Sequence, residues 1–583
     1  MNQVIQPREI AEAQRVKDAA AGGSAPVRAK PRSDVGTIVL HWATAAAVVV
    51  SLATGLRIGG DGLDSVVGRA LWSVLPQGEV WTWHFVGSLA LFFCATAYAV
   101  YMARAGLMQR IAPSRMRVLT MPASARLRWN AVNVVLHWAI YAILAALTAT
   151  GVAMYLGFGD WVVTVHGLLA TVTLVYIGVH VFTHFMYGGL DQLLRLFKPS
   201  PLARTAAARP RPFVVAAFAG LPIAFGVAAL DYGTRDALTV AHVATPPTAD
   251  GKLDDAAWAN ARPVRVRTEQ GANLGGTGTS TVEVRAVEDG RKIYFAFRWE
   301  DPTRSQMRLP LVKREDGWRM IGSKADTADV IDFYEDKLAV LFTRSDAFGN
   351  GGSTHMGPDP LPGQPKPVHG RGYHYTTDGL YADVWQWKAS RGGLLGRVDD
   401  MYFGPPNEAN EAMKAGKARY QAGYDSDPGT SFYVYNYKSE APGGYRGPVT
   451  LSKLPKDYAA TVKAMGTLHL DLNKSNDEGS RWWMTEDEVV PYSKEADDKI
   501  PVGTVIPGVL IQGQYSGDRA DLMGAAQWKD GYWTLETSRV LDTGSKYDIP
   551  FKKGEPIYMY VSVFDHTQTR HTRHMRPIVI ALP

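Results

Sequence analysis

The chain of 583 residues has one cysteine, Cys94, and it lies inside an apolar run. A lone thiol excludes disulfides, thiolate zinc sites, iron–sulfur clusters and CxxCH haem attachment within the chain. Any haem must therefore be bound non-covalently, by His, Met or Lys. Net charge is also scarce: 62 Lys and Arg against 56 Asp and Glu leave +6. The basic residues concentrate in loops between apolar runs, which points to membrane topology and to no nucleic-acid partner. No nucleophile, paired-carboxylate site or molybdopterin motif is legible. An electron carrier is therefore expected rather than a complete enzyme, with substrate chemistry left to another subunit.

What the chain does have is histidine where histidine is rare. The stretch VVTVHGLLATVTLVYIGVHVFTH, residues 162–184, is almost wholly apolar yet holds His166, His180 and His184. His166 and His180 are fourteen residues apart. On an α-helix that is close to four turns and roughly 21 Å of rise, so both leave the same face. One helix then offers an imidazole near each side of a bilayer, as two stacked haems require. The plain alternative is polar residues bonding neighbouring helices.

Five apolar stretches have the length a bilayer demands. They are Val35 to Leu56, Val80 to Met102, Val132 to Tyr155, Trp161 to Tyr187 and Phe213 to Leu230. The fifth lacks histidine, contains Pro222 and reads as a tether. The loop Tyr101 to Asn130 carries six arginines and no acid, and Gly188 to Pro212 five basic residues and one acid. Arg57 to Trp83 carries two basic and three acidic residues. The positive-inside rule then places the N-terminus and the basic loops in the cytoplasm of a bacterium, and everything after Asp231 in the periplasm. The expected organisation is a cytoplasmic tail at 1–34, a four-helix di-haem domain at 35–200, a fifth helix and linker at 201–245, and a periplasmic β-sandwich at 246–583.

On that topology the histidines fall into two layers. His84 and His166 lie on the periplasmic side. His41, His137, His180 and His184 lie on the cytoplasmic side. VLHWATAAAVVVSLATG at 39–55 resembles VLHWAIYAILAALTATG at 135–151, so two helical hairpins form a pseudo-symmetric four-helix bundle.

This pattern resembles the di-haem cytochrome b subunits of respiratory formate dehydrogenases and nickel–iron hydrogenases. The resemblance implies one haem b held by His84 and His166 and a second by His41 and His180. His137 and His184 share the layer of the second pair, so either could replace a ligand, and the repeat makes His137 the stronger competitor. Such subunits exchange electrons with a membrane quinone. His137, His184 or Arg57 could line that site.

Beyond a linker, Asp231 to Ala249, the hydrophobic pattern changes to period two. Strands are expected at Thr281 to Ala286, Ile293 to Trp299, Lys337 to Phe342, Asp383 to Trp387, Val509 to Gln512, Tyr532 to Val540, Ile557 to Phe564 and Pro577 to Leu582. EDGRK at 288–292 should turn a hairpin. An antiparallel β-sandwich follows. The polar insert from Pro405 to Asp498 carries no legible function.

The segments DGKLDDAAW (250–258), IYFAFRWED (293–301), TDGLYADVWQWKASR (377–391), WKDGYWTLETSRVLD (528–542) and IYMYVSVFDHTQTRHTRH (557–574) together resemble the haem-binding γ subunit of ethylbenzene dehydrogenase. That resemblance implies a third haem b. One axial ligand would come from GGSTHMGPD (351–359), as Met356 or His355. The other would come from DHTQTRHTRHMR, where the family's lysine is missing and His571 and His574 stand instead, with His571 the preferred ligand. The plain alternative is a solvated His-rich edge. Trp299, Trp385 and Trp387 could pack on a porphyrin or form core.

The function expected is respiratory: a multi-haem b-type cytochrome of the bacterial inner membrane, set in lipid. It would pass electrons between quinone or quinol and a periplasmic redox protein or catalytic subunit. Two alternatives stay open. One is an oxidoreductase acting on a periplasmic substrate at the outer haem. The other is a di-haem anchor with a haem-free docking domain.

Overall fold

The computed structural model describes residues 31–60, 66–71, 74–76, 80–159, 161–201, 211–321, 330–346, 354–357, 361–365, 373–376, 378–415, 420–439, 448–469 and 471–582. The chain opens with helices α1 (Val35–Gly60), α2 (Val80–Arg104), α3 (Ala125–Tyr155), α4 (Trp161–Leu194) and α5 (Arg211–Gly233). Among the described residues, four helices are long and apolar enough to cross a membrane, and these are α1 to α4. α3 starts earlier than expected, because its first two turns, ARLRWNA, are polar and escape a hydropathy reading. α4 breaks at Gly188 and Gly189, where Gly189 takes φ 65°. Its apolar run therefore ends at Tyr187, as the sequence implies, and a second helical piece runs on to Leu194.

The helices contribute to two compact units. One takes residues up to Ala47, Ala90–Ile143 and Val172–Ile223; the other takes Val48–Leu89, Leu144–Thr171 and Ala224 onward. In the first unit, Asp34 caps α1 by accepting from the Thr37 amide at 2.9 Å. The same carboxylate accepts from Tyr101 Oη at 2.8 Å and pairs with Arg110 at 3.2 Å. Gly36 is required there, because a Cβ would lie 2.2 Å from the Tyr101 ring. Leu40, Ala97, Tyr101 and Ala105 bury a small core with Ala216 of α5. On α3 and α4, Thr183 Oγ1 donates to Asn133 Oδ1 at 2.7 Å.

In the second unit the chain becomes a β-sandwich. Its strands are β1 (Ala237–Thr239), β2 (Ala241–His242), β3 (Val264–Thr268), β4 (Ser280–Glu288), β5 (Lys292–Glu300), β6 (Lys337–Thr343), β7 (Ala382–Lys388), β8 (Asp399–Phe403), β9 (Tyr424–Ser426), β10 (Met523–Lys529), β11 (Tyr532–Val540), β12 (Ile557–Phe564) and β13 (Ile578–Ala581). One sheet runs β9-β8-β7-β6-β12-β13-β1; the other runs β10-β11-β5-β4-β2, with β3 also on β4. Pairing is antiparallel except at β13 with β1 and β2 with β4. The EDGRK turn joins β4 to β5, with the Asp289 amide donating to the Lys292 carbonyl at 3.2 Å. Residues 237–242, expected as linker, instead add β1 and β2 to the edges of the two sheets.

Alternate residues of both sheets meet in one core. Phe295 stands 5.5 Å from Phe342 and 5.6 Å from Trp385; Trp299 stands 5.7 Å from Trp387. All five are fully buried, so these tryptophans are core and not a porphyrin platform. The insert is also structured. Val449–Leu451 pairs with Gly317–Met320, Val505–Ile506 pairs with Leu311–Arg314, and helix Tyr458–Met465 lies between. Leu451 and Leu454 of the insert share a separate core with Leu309, Leu311, Trp318 and Ile506, which flank it in sequence.

Candidate haem sites

Each histidine layer falls inside one unit. His84 near the start of α2 and His166 near the start of α4 face one another with ring centres 6.4 Å apart. Metal–imidazole bonds of about 2 Å on either side of one iron separate ring centres by roughly 6 Å. His84 Nδ1 lies 3.0 Å from the Ser51 carbonyl and 3.1 Å from Thr54 Oγ1. His166 Nδ1 lies 2.8 Å from Thr150 Oγ1. A carbonyl only accepts, and each threonine already donates to a carbonyl of its own helix, Val50 at 2.6 Å and Ala146 at 2.8 Å. Both imidazoles therefore carry their proton on Nδ1, which leaves the lone pair on Nε2. Gly55 and Gly151 stand against these rings: a Cβ on Gly55 would lie 3.0 Å from His84 Cε1, and one on Gly151 3.6 Å from His166 Cε1. These residues fit a bis-histidine haem.

The other layer is more crowded. His137 and His180 have ring centres 5.4 Å apart, His137 and His184 6.1 Å, and His180 and His184 4.7 Å. His41 is within electrostatic reach of His137, His180 and His184, and its ring stands 5.8 Å from Trp42. His137 Nδ1 donates to the Asn133 carbonyl at 2.6 Å, and His180 Nδ1 lies 3.2 Å from Tyr176 Oη. The donor set suits haem, with four imidazoles for two axial positions. Arg195, counted in the sequence only as a topology charge, interacts with all four. Beside this layer an apolar groove of about 480 Å³ is lined by Val35, Ile38, Trp42, Leu196, Phe197 and Pro199. Arg57 does not belong to this unit; it is buried near the end of α1, on the side of His84.

In the β-domain the two candidate histidines separate. His574 is 5% exposed, and its Nδ1 accepts from the Val561 amide at 3.3 Å. A neutral ring with an accepting Nδ1 carries its proton on Nε2, which cannot then bind iron. Burial pushes this imidazole down to about 3. His571 has the opposite arrangement: Nδ1 donates to the Thr572 carbonyl at 2.7 Å, leaving the lone pair on Nε2. Its ring stands 4.8 Å from Phe564. A lysine does meet this loop, although from β6: Lys337 Nζ lies 3.9 Å over the Phe564 ring and donates to the Gln568 carbonyl at 2.7 Å. Burial pushes that ammonium well below the usual lysine range. His355 and Met356 have backbone positions in strand Thr354–Gly357, paired with Tyr373–Thr376; their side chains lie outside the described residues.

Comparisons with known proteins divide the chain at the same place. Residues 255–576 match the family described as ethylbenzene dehydrogenase. Residues 32–199 match prokaryotic cytochrome b561. No curated protein matches. Among solved structures, a carbohydrate binding module family 9 from Caldicellulosiruptor kristjanssonii in complex with glucose aligns at 8% identity, covering 59% of this chain and 95% of its own, with a TM-score of 0.22. A putative carbohydrate-binding protein from Bacteroides uniformis aligns at 7% identity, covering 60% of this chain and 100% of its own, with a TM-score of 0.23.

Proposed function

The chain belongs to the ethylbenzene dehydrogenase family over residues 255–576 and carries a prokaryotic cytochrome b561 module over 32–199, and from this we propose that it carries electrons between the membrane quinone pool and a periplasmic redox partner. It is an integral membrane cytochrome of the b type. Bound haem b supplies a one-electron ferric–ferrous couple.

The carrying observation is the pair His84 and His166, 6.4 Å apart at the ring centres, each with Nδ1 held and its lone pair left on Nε2. They hold one haem near the periplasmic surface. His41 and His180 hold the second toward the cytoplasm, with His137 as the competing ligand, and Arg195 meets its carboxylate edge. The groove beside Trp42 takes the quinone ring, next in sequence to a ligand histidine. In the periplasmic domain His571 is the iron ligand and His574 is not, while the second ligand comes from Met356 or His355. Glu269 supports close coupling of this domain to the outer ends of α3 and α4. Its backbone pairs with Arg573, and a Cβ on Gly159 would meet its carboxylate.

Haem content of the full chain in detergent, measured as pyridine haemochrome, tests this. Three haems b in the parent, two in His84→Ala and two in His571→Ala are expected. Two in the parent would remove the outer haem and leave a docking domain. Reduction of the haem α-band by a short-chain quinol should slow in Trp42→Ala; an unchanged rate would exclude the groove as the quinone site.

A further inference from the structure

We propose that Asp383, Asp400 and Asp548 bind one calcium ion inside the β-sandwich. One oxygen from each carboxylate lies within 4.8 Å of the others, and all three residues are buried. Asp383 on β7 and Asp400 on β8 are diagonal neighbours on one sheet face, since Asp383 is paired with Tyr402 and Trp385 with Asp400. Asp548 comes from the loop after β11. That loop returns to the sheet where the Ile549 amide donates to Asp383 Oδ2 at 3.1 Å.

Buried acids often need nothing beyond an arginine or a proton. Here the arginine is present and already engaged. Arg539 Nη1 donates to Asp383 Oδ2 at 2.5 Å and stands 3.2 Å from Asp548 Oδ1, while Nη2 donates to the Ile549 carbonyl at 2.6 Å. Asp400 is left over. It is 0% exposed, and neither of its carboxylate oxygens meets a donor. Asp427, 2% exposed just past β9, is in the same condition, and Asp548 and Asp383 are the charges that act on it most. Its amide donates to the Asp400 carbonyl at 3.1 Å, which fixes it against the cluster. Four buried carboxyls thus face one guanidinium. A divalent cation would offset two of the three uncompensated charges.

The donor set selects the ion. Carboxylate oxygens without nitrogen or sulfur favour a hard cation. Magnesium retains several waters in near-ideal octahedral geometry, whereas calcium accepts six to eight oxygens at about 2.3–2.6 Å in flexible arrangements. Crowded, solvent-excluded carboxylates suit calcium.

The test is metal analysis and thermal unfolding of the full chain in detergent. After passage through calcium-free buffer, roughly one calcium per chain should remain, and about 1 mM calcium against EGTA should raise the midpoint of the β-domain. Asp400→Asn should lose both the bound calcium and the calcium-dependent shift. Should that variant not fold, the parent's metal content and its response to calcium decide alone. A parent with neither retained calcium nor a shift overturns the proposal in favour of protonated carboxyls. An equal shift with magnesium alone overturns the assignment to calcium.

Discussion

Thr54 and Thr150 occupy the same position in the repeats at 39–55 and 135–151, and each holds the Nδ1 of a histidine on the next helix, His84 and His166. Gly55 and Gly151 follow them in both repeats and stand against the same two rings. The repeat therefore encodes the hydrogen-bond partners of His84 and His166, while the two histidines themselves lie outside it. The two halves differ in one respect: His84 has the Ser51 carbonyl at 3.0 Å as a further acceptor, and His166 has Thr150. Thr150→Val should thus weaken haem binding about 10–100-fold, and Thr54→Val should do less. Haem transfer to a scavenging apoprotein and redox titration would measure this. Equal losses in the two variants would contradict the asymmetry.

Gly55→Leu should remove the haem proposed at His84 and His166 altogether. A Cβ alone would stand 3.0 Å from His84 Cε1, and the rest of the leucine would fill the space beneath the ring. The α-band should fall by one haem per chain while helical circular dichroism is retained. Full haem content in this variant would mean that the porphyrin lies elsewhere.

His571 and His574 should behave as opposites. His571→Ala should cost the outer haem and leave the β-sandwich folded. His574→Ala should keep the haem and lower the unfolding midpoint, because a buried ring that accepts from the Val561 amide is lost. The burial of His574 also gives a pH signature. Its folded pKa is pushed down by burial to about 3, below the ordinary imidazole value of about 6.5. The unfolded chain therefore binds the extra proton first as pH falls. Stability from this group is intact above 6.5 and declines toward about 3, by about 1.4 kcal/mol per pH unit. Urea titrations at pH 7 and pH 5 should show this decline in the parent and a smaller one in His574→Ala.

Glu335 is a buried anion among buried cations. It accepts from the amides of Ser390 at 2.7 Å and Arg391 at 3.2 Å and pairs with the Arg391 side chain. Arg308, Lys337 and Lys388 are buried nearby and act electrostatically on the same group of residues. Glu335→Gln keeps the shape and removes the charge, which should cost about 3–5 kcal/mol. Thermal unfolding should register a fall of the β-domain midpoint; an unchanged midpoint would show that the cations are balanced from elsewhere.

The membrane half was legible because its signals are local. Fourteen residues between His166 and His180, and a repeat containing His41 and His137, lie within single helices. The hydrogen bonds that fix the rings were hidden, since threonine in an apolar helix looks alike whether or not it faces a histidine. In the β-half, Tyr532–Val540 and Ile557–Phe564 were readable from alternation alone. The core of the insert was not, because Val449 meets Trp318 and Val505 meets Val312 across long sequence separations. The same distance concealed Asp383, Asp400 and Asp548, which only strand pairing brings together. In the sequence, the preference for His571 over His574 rests on the resemblance alone; the different Nδ1 partners of the two rings support it.

Arg576 ties the C-terminal end of the β-domain to the C-terminal ends of α3 and α5. Its Nη1 donates to Thr234 Oγ1 at 2.7 Å, and its Nη2 donates to the Asp231 carbonyl at 2.5 Å. The guanidinium lies 5.0 Å over the ring of Tyr155, whose hydroxyl donates to the Asp231 carboxylate. Tyr155 closes α3, and Asp231 lies in the last turn of α5. Arg576→Ala removes a cation that serves three partners at once, so about 1–2 kcal/mol of docking should be lost, enough for roughly 5–30-fold more frequent opening. Limited proteolysis within 231–249 should accelerate by that factor while the haem content stays at the parent value. Gly159→Ala approaches the same junction from the other side by displacing the Glu269 carboxylate. Because the Glu269 backbone is paired with Arg573, two residues from His571, this variant should also shift the spectrum of the outer haem. Faster cleavage without a spectral change would mean that docking and the His571 loop are independent. A change in both would place the loop and the helix ends in one rigid junction.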